Sequence, residues 1–155
     1  MGSEMCIRDR PSPSSPSKPG ATIPTAPNHN LAKDLAACFK TSNTDMVTYY
    51  ERDLRAFSDD LEIDFFDADG DNDGDQISVC VDGKLALNKE VLSDLGKVVD
   101  CNIRGKREIF LIIYAHNRGQ KGKNSVGIQI IKGGEKTEVV LELDEDEYYY
   151  LRILR

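Results

Sequence analysis

The stretch that decides the fold is Ile77-Ser78-Val79-Cys80-Val81-Asp82-Gly83-Lys84-Leu85-Ala86-Leu87-Asn88. Apolar and polar residues alternate on both sides of Asp82-Gly83, and this is the period of a half-buried β-strand. Asp-Gly is a favoured two-residue hairpin turn because a type I′ turn needs positive φ at both central positions. The stretch therefore predicts two antiparallel strands joined by a tight turn, with Ser78 pointing outward from the core.

Further strand-like runs lie on both sides of this hairpin. Arg107 to Ala115 contains an unbroken apolar run, which predicts a strand buried on both faces, with Leu111 and Ile113 deep in the core. Gly133-Gly134 predicts a second hairpin. The remaining strand-like runs are Asp53 to Phe57, Leu61 to Phe66, Leu95 to Ile103, Val126 to Ile131, Lys136 to Leu143 and Tyr148 to Leu154.

Many short strands without a long helix are typical of an all-β fold. We predict an antiparallel β-sandwich of the jelly-roll kind, with about eight or nine strands. Ahead of the strands, Leu31, Leu35, Cys38 and Phe39 recur at helical spacing and predict one short amphipathic N-terminal helix. Residues 41–44 then form either a turn or a helix N-cap.

The composition fits one globular domain with an appended segment, since the 155 residues are 39% hydrophobic and carry a net charge of -7. This negative balance argues against a nucleic-acid partner, because phosphate binding needs a basic face. Two local basic groups, within residues 104–107 and 118–123, are predicted at opposite ends of one strand and are interpreted as solvated loop charges. No apolar run in the sequence is long enough to span a membrane.

Residues 1–30 are expected to be disordered, and the folded domain is predicted to span residues 31–155. Gly2 to Arg10 resemble the in-frame translation of a sequencing-library adapter, so Met1 is not expected to be the native start. Residues 11–30 hold all six prolines together with Ser and Thr, which is the composition of an extended linker between domains. We therefore expect an upstream domain of the same protein as one partner.

The loop between two predicted strands carries an aspartate at every second position, namely Asp67, Asp69, Asp71, Asp73 and Asp75. Carboxylates this close repel one another unless a cation or a set of backbone N–H groups offsets the charge. Calcium is the expected cofactor, because it takes about six to eight oxygen ligands in a tolerant geometry. The alternative is a solvated loop whose Asp and Asn side chains cap their own turns.

The acidic loop does not match an EF-hand. When Asp69 is taken as the first position, Cys80 falls where the bidentate Glu should be. A calcium ion would therefore need ligands from elsewhere in the fold, and Asn117 is the candidate. Asn117 either supplies a carbonyl oxygen to the ion or adopts left-handed geometry and locks its own loop.

Three motifs resemble small β-sandwich domains at the C-termini of secreted or cell-surface bacterial proteins. They are Asp73-Gly74-Asp75-x-Ile77-Ser78, Asp82-Gly83-Lys84 and Tyr114-Ala115-His116-Asn117-x-Gly119, followed by a closing strand with Leu151-Arg152-Ile153-Leu154. The family typically reads Asp-Gly-Asp-x-Ile-Ser, Asn-Gly and Tyr-Ala-x-Asn-x-Gly. This chain departs from it at Asp82 and at residues 120–123, where a Pro-Pro-Asn segment commonly follows. The resemblance, which covers residues 52–155, implies a fold and a secreted or cell-surface location, and it carries over no reaction.

The remaining candidate residues are one histidine and two tyrosines. His116 is the lone histidine of the predicted domain. No Ser or Cys lies at a sequence spacing that would indicate a nucleophile paired with it, so no catalytic site is predicted. Tyr148 and Tyr150 in the last strand are candidates for a sugar-stacking platform, although one ring or more is expected in the core. Cys80 and Cys101 either form a disulfide or remain buried free thiols, and we favour the free thiols.

Two functions therefore stay open. The first is a non-catalytic accessory or structural module outside the cell, tethered by the linker and stabilised by calcium. The alternative is a carbohydrate- or protein-binding module of a secreted multidomain protein, whose partner would be a glycan or a cell-surface protein.

Overall fold

A computed structural model describes residues 31–49, 53–56, 58–120, 122–132 and 135–155 as an all-β sandwich with one short helix. Within these residues, ten strands form two sheets, one of six strands and one of four, and neither sheet closes on itself. The predicted β-sandwich and the predicted N-terminal helix are confirmed. The expectations for residues 1–30, for Phe57 and for the hairpin at Gly133-Gly134 lie outside the described residues.

The elements follow one another along the chain with short connections. They are α1 (Leu31–Phe39), a 3-10 turn (Thr44–Met46), β1 (Val47–Tyr49), β2 (Leu54–Arg55), β3 (Asp60–Asp67), β4 (Gln76–Val81), β5 (Lys84–Val91), β6 (Lys97–Asn102), β7 (Glu108–Ala115), β8 (Asn124–Lys132), β9 (Glu135–Leu143) and β10 (Tyr148–Leu154). Asn43 caps the 3-10 turn by accepting the Asp45 N–H, so residues 41–44 provide an N-cap.

The larger sheet has the order β1-β10-β7-β4-β5, with β2 also paired to β10. Its pairings are antiparallel except at one edge, where β1 and β2 run parallel to β10. Asp82 and Gly83 have φ values of 47° and 82°, which confirms the sharp hairpin between β4 and β5. This sheet places β7, the predicted buried strand, between β4 and β10.

The smaller sheet has the order β6-β3-β8-β9 and is antiparallel throughout. Its inward-facing side chains and those of the larger sheet form the main core. Leu111 and Ile113 are fully buried there, as predicted, together with Phe65 and Ile128. Burying these side chains is the chief favourable contribution to folding, at about 25 cal/mol for each Å² of apolar surface removed from water.

Helix α1 builds a second core on the outer face of the larger sheet. Leu35 is fully buried and packs with Phe110, Ile112 and other residues that point away from the main core. Strand β7 is therefore apolar throughout because the smaller sheet covers one face and α1 covers the other. Lys40 has a φ of 61°, which ends the helix with a left-handed residue and redirects the chain towards the sheet.

A disulfide joins Cys38 of α1 to Cys80 of β4, so the expectation that Cys80 stays a free thiol or pairs with Cys101 is wrong. The reason is topological. Cys80 points to the outer face under α1, whereas Cys101 lies in the other sheet, half-buried against the main core, and keeps its thiol. The bridge spans 42 positions of sequence and fixes α1 to the sheet.

The outward direction predicted for Ser78 is confirmed, but the side chain is buried on the outer face of the sheet. Ser78 points away from the main core but is only 2% exposed. Its hydroxyl accepts the Lys89 N–H at 2.9 Å, at a place where β4 and β5 pair irregularly. The hydroxyl thus satisfies a backbone donor that the bulged ladder leaves without a carbonyl partner.

Candidate functional site

The acidic loop after β3 and the loop after β7 meet at one end of the sandwich. Asn117 ties them together: its Oδ1 accepts the Gln76 N–H at 2.9 Å, and its Nδ2 donates to the Gly74 carbonyl at 2.9 Å. Of the two roles considered for Asn117, the structure shows the loop lock, but not the left-handed geometry expected with it, because Asn117 does not have a positive φ. The lock comes from the side chain, whose amide oxygen is directed at the backbone N–H at the start of β4.

Asp67 organises the first turn of the acidic loop. It is 3% exposed, and its carboxylate accepts the backbone N–H groups of Asp69, Gly70 and Asn72 at 2.8–3.2 Å. These donors stabilise its negative charge without a cation, which matches the turn-capping alternative for this residue. Asp69 and Asp71 lie exposed on the surface.

Asp73 and Asp75 converge on Gly119. Asp73 Oδ2 accepts the Gln120 N–H at 2.9 Å, and Asp75 Oδ2 accepts the Ser125 N–H at 2.8 Å. Asp75 is only 2% exposed, and its Oδ1 has no hydrogen-bond partner among the described residues. Gly119 lies so close that a Cβ there would overlap both carboxylates. The structure therefore brings together two of the six predicted metal ligands.

The electrostatics of this pair is unfavourable for two negative charges. Burial raises the pKa of Asp75 to about 6, and the nearby charges of Asp73 and Asp67 add to the increase, whereas the Ser125 N–H opposes it. Above that pH the ionised Asp75 carboxylate lies beside Asp73. Either a shared proton at lower pH or a bound cation at higher pH would relieve the repulsion.

Asn124 is a polar residue of this region that the sequence analysis missed. It is fully buried, and its Nδ2 donates to the carbonyl oxygens of Gln76 and Asn117 at 3.3 and 3.2 Å. Its Oδ1 has no hydrogen-bond partner within the described chain. Asn124 directly precedes Ser125, which binds Asp75, so it joins the network that supports the two carboxylates. Only its position at the start of a strand after a long loop hints at this role in the sequence.

The described residues do not form a complete metal centre from side chains alone. They contain no group of three or more His, Cys, Asp and Glu side chains that is arranged to hold a metal ion. The side-chain ligands that the structure brings together here are the carboxylates of Asp73 and Asp75. A cation at this place would take its other ligands from backbone carbonyl groups and water, which hard cations accept readily.

Ser78 and His116 form a hydrogen-bonded pair that their sequence spacing did not reveal. Ser78 Oγ lies 2.7 Å from His116 Nε2, and the imidazole ring packs edge-on against Tyr114. Burial lowers the pKa of His116, which favours the neutral imidazole ring. Since Ser78 is buried and its oxygen also accepts the Lys89 N–H, the pair links β4, β5 and the end of β7.

Tyr148 and Tyr150 do not form the surface platform that the sequence analysis expected. They are 7% and 5% exposed and pack with Phe39, Tyr49 and Phe110 in the second core. Helix α1 covers this face of β10 and Tyr49 of the adjacent β1 packs against Tyr150, so both rings are buried. The carbohydrate-binding alternative therefore loses the residues on which it rested.

Compared with models of known protein families, with curated proteins and with solved structures, the chain shows no match. Within the described residues, no helix is long and apolar enough to cross a membrane.

Proposed function

We propose that residues 31–155 act as a non-catalytic structural module that works outside the cell and binds calcium between Asp73 and Asp75. The observation that carries the proposal is the buried Oδ1 of Asp75, which lies beside a second carboxylate and has no hydrogen-bond donor in the described chain. A buried ionised oxygen without a donor is unfavourable unless a cation offsets its charge.

Calcium fits this site better than the other common divalent ions. The donor atoms are hard oxygens, and the loop backbone around Gly74 and Gly119 takes positive φ values that let the chain fold tightly around an ion. Calcium accepts an irregular shell of carboxylate, amide, carbonyl and water oxygens, whereas magnesium requires near-octahedral geometry and retains its water. The ion would join the acidic loop to the loop after β7 and thereby stiffen this end of the sandwich.

The disulfide between Cys38 and Cys80 supports the location. Structural disulfides form and persist in oxidising surroundings, such as outside the cell, and are rare where thiols are kept reduced. A proline- and serine-rich segment before the domain would hold such a module at a distance from an upstream domain.

Calorimetric titration of calcium into the chelator-treated full chain at pH 7.5 tests the proposal. We expect a heat of binding and a rise in stability of about 2.7 kcal/mol when free calcium is about a hundred times the dissociation constant. Asp75→Asn keeps an oxygen for the Ser125 N–H but removes the charge, so we expect it to abolish binding. Magnesium should give little heat.

Asp69→Asn is the matched control, because it removes the same charge from an exposed position of the same loop. It should bind calcium almost as tightly as the wild type. Superimposable melting curves in calcium and in chelator would refute the calcium site. Equal losses of affinity in the two variants would show that calcium responds only to the total charge of the loop.

A further inference from the structure

A cavity lies at the other end of β7, far from the acidic loop. Its volume is about 560 Å³, and five cationic side chains line it together with one carboxylate, namely Arg55, Lys106, Arg107, Arg152, Arg155 and Glu108. This local excess of positive charge stands out because the whole chain carries a net charge of -7. Lys106 and Arg107 belong to the basic group predicted to be solvated loop charges.

Strand pairing explains why these residues meet. Arg55 of β2 lies beside Leu154 because β2 runs parallel to β10, and Leu154 in turn lies beside Glu108 at the start of β7. The Arg155 N–H donates to the Arg107 carbonyl at 3.0 Å, which continues the ladder past the end of both strands. Three distant segments thus place their basic residues around one cavity.

Three of the five cations are already paired with carboxylates. Lys106 contacts Asp82 at 2.8 Å, and Arg155 contacts Asp59 at 2.6 Å. Arg152 bonds to Asp53 through two nitrogens, at 2.9 and 2.7 Å, and to Glu108 at 3.4 Å. These pairs hold their side chains in place and neutralise most of their charge.

Arg55 and Arg107, the other two cations of the cavity, are not paired with carboxylates of the described residues. Both are exposed, and no described residue makes a hydrogen bond or an ion pair with either guanidinium group. Each guanidinium is always charged and offers up to about five N–H donors in a planar fork that matches an oxyanion. Two such groups at one cavity, one on β2 and one just before β7, provide donors that the described protein does not use.

We propose that this cavity binds the carboxylate or sulfate group of an acidic sugar, held by Arg55 and Arg107. The volume lies within the range of about 300–1,000 Å³ that is usual for small-molecule sites, and it exceeds what a bare ion needs. The paired Arg152 forms part of the wall. A long polyanion is disfavoured, because the rest of the surface is acidic and would repel it.

The test is titration of the full chain with glucuronate, with inorganic sulfate and with glucose, in low salt. We expect glucuronate to bind and glucose not to bind. Arg55→Gln with Arg107→Gln should weaken glucuronate binding by about a hundredfold, since each charged hydrogen bond removed corresponds to about tenfold. Both side chains are exposed, so the variant should keep the wild-type melting temperature.

Arg118→Gln with Lys123→Gln is the control variant, because it removes the same charge from exposed residues at the other end of β7. It should bind glucuronate as the wild type does. Tighter binding of glucuronate than of sulfate would show that the sugar is recognised as well as its charge. The proposal would be overturned if glucuronate did not bind, or if glucose bound equally well. It would also be overturned if sulfate and glucuronate had equal affinities, or if the control variant lost as much affinity as the double arginine variant. Calcium does not enter this test, so its outcome is independent of the proposed function.

Discussion

Gly119→Ala is the substitution that most directly probes the packing of the two carboxylates. Gly119 has a φ of 66°, in the region that L-residues adopt at a cost of about 1–2 kcal/mol. In addition, its new methyl group would overlap Asp73 and Asp75. Forcing a methyl group into a packed site adds about 1–3 kcal/mol. We therefore expect Gly119→Ala to lower the free energy of unfolding by about 2–5 kcal/mol.

Gly105→Ala separates the two effects. Gly105 has a φ of 76°, but a Cβ there would meet open space, so only the backbone cost of about 1–2 kcal/mol applies. Urea unfolding of both variants, monitored by circular dichroism in chelator, measures the difference. Equal destabilisation would refute the close packing of Gly119 against the carboxylates. Gly119→Ala should also weaken calcium binding, whereas Gly105→Ala should leave it unchanged.

Three further predictions concern the disulfide, the core and pH. Cys38→Ala should lower the free energy of unfolding by about 4 kcal/mol, the loop-closure entropy for 42 residues, and should raise the urea m-value, whereas Cys101→Ala should change both little. Leu111→Ala should cost about 2–5 kcal/mol in the same assay, and Leu85→Ala, at a side chain that is 43% exposed, should cost far less. In chelator, the raised pKa of Asp75 means that the folded state holds a proton between about pH 4 and pH 6 that the unfolded state has released. The contribution of this group to the free energy of unfolding should therefore fall by up to about 3 kcal/mol as pH rises through that window. The measurement is the free energy of unfolding of the wild type minus that of Asp75→Asn at each pH. A difference that does not change between pH 4 and pH 6 would contradict the raised pKa.

Most strands could be predicted from the sequence because turn residues and the local pattern of apolar side chains determine them. The turn at Asp82-Gly83 needs positive φ, and Asp-Gly supplies it. The last strand was predicted with the observed bounds, and the apolar run within 107–115 marked the most buried strand. Parallel pairing of β1 and β2 with β10 could not be predicted, because such short segments carry no pattern that selects a partner.

One element accounts for most of the errors. Helix α1 was predicted, but its docking position depends on contacts between residues that are distant in sequence. Once α1 covers the outer face of the larger sheet, Cys80, Tyr148 and Tyr150 become buried although alternation places them away from the main core. Periodicity gives the direction of a side chain, whereas exposure depends on what packs over it.

For the candidate sites too, the sequence indicated the residues but not the contacts between distant segments. Charge density identified the acidic loop, but it did not distinguish Asp67, which backbone N–H groups satisfy, from Asp75, which has a free buried oxygen. The basic cavity could not be found from sequence, since Arg55, Arg107 and Arg155 belong to three segments that only the sheet brings together.

The position of the disulfide determines how the domain would respond to a pulling force. Tension that enters through α1 reaches Cys38 and passes across the bridge directly to Cys80 in β4. The cysteines are 42 positions apart, and the chain between them forms a closed loop that cannot be extended while the bridge is intact. This removes about 140–150 Å of possible extension, at about 3.3–3.6 Å per residue. Strands β1 to β3 and the whole acidic loop lie within this closed loop. A module joined to its neighbours by its two ends would therefore keep this segment short under load until the bridge is reduced.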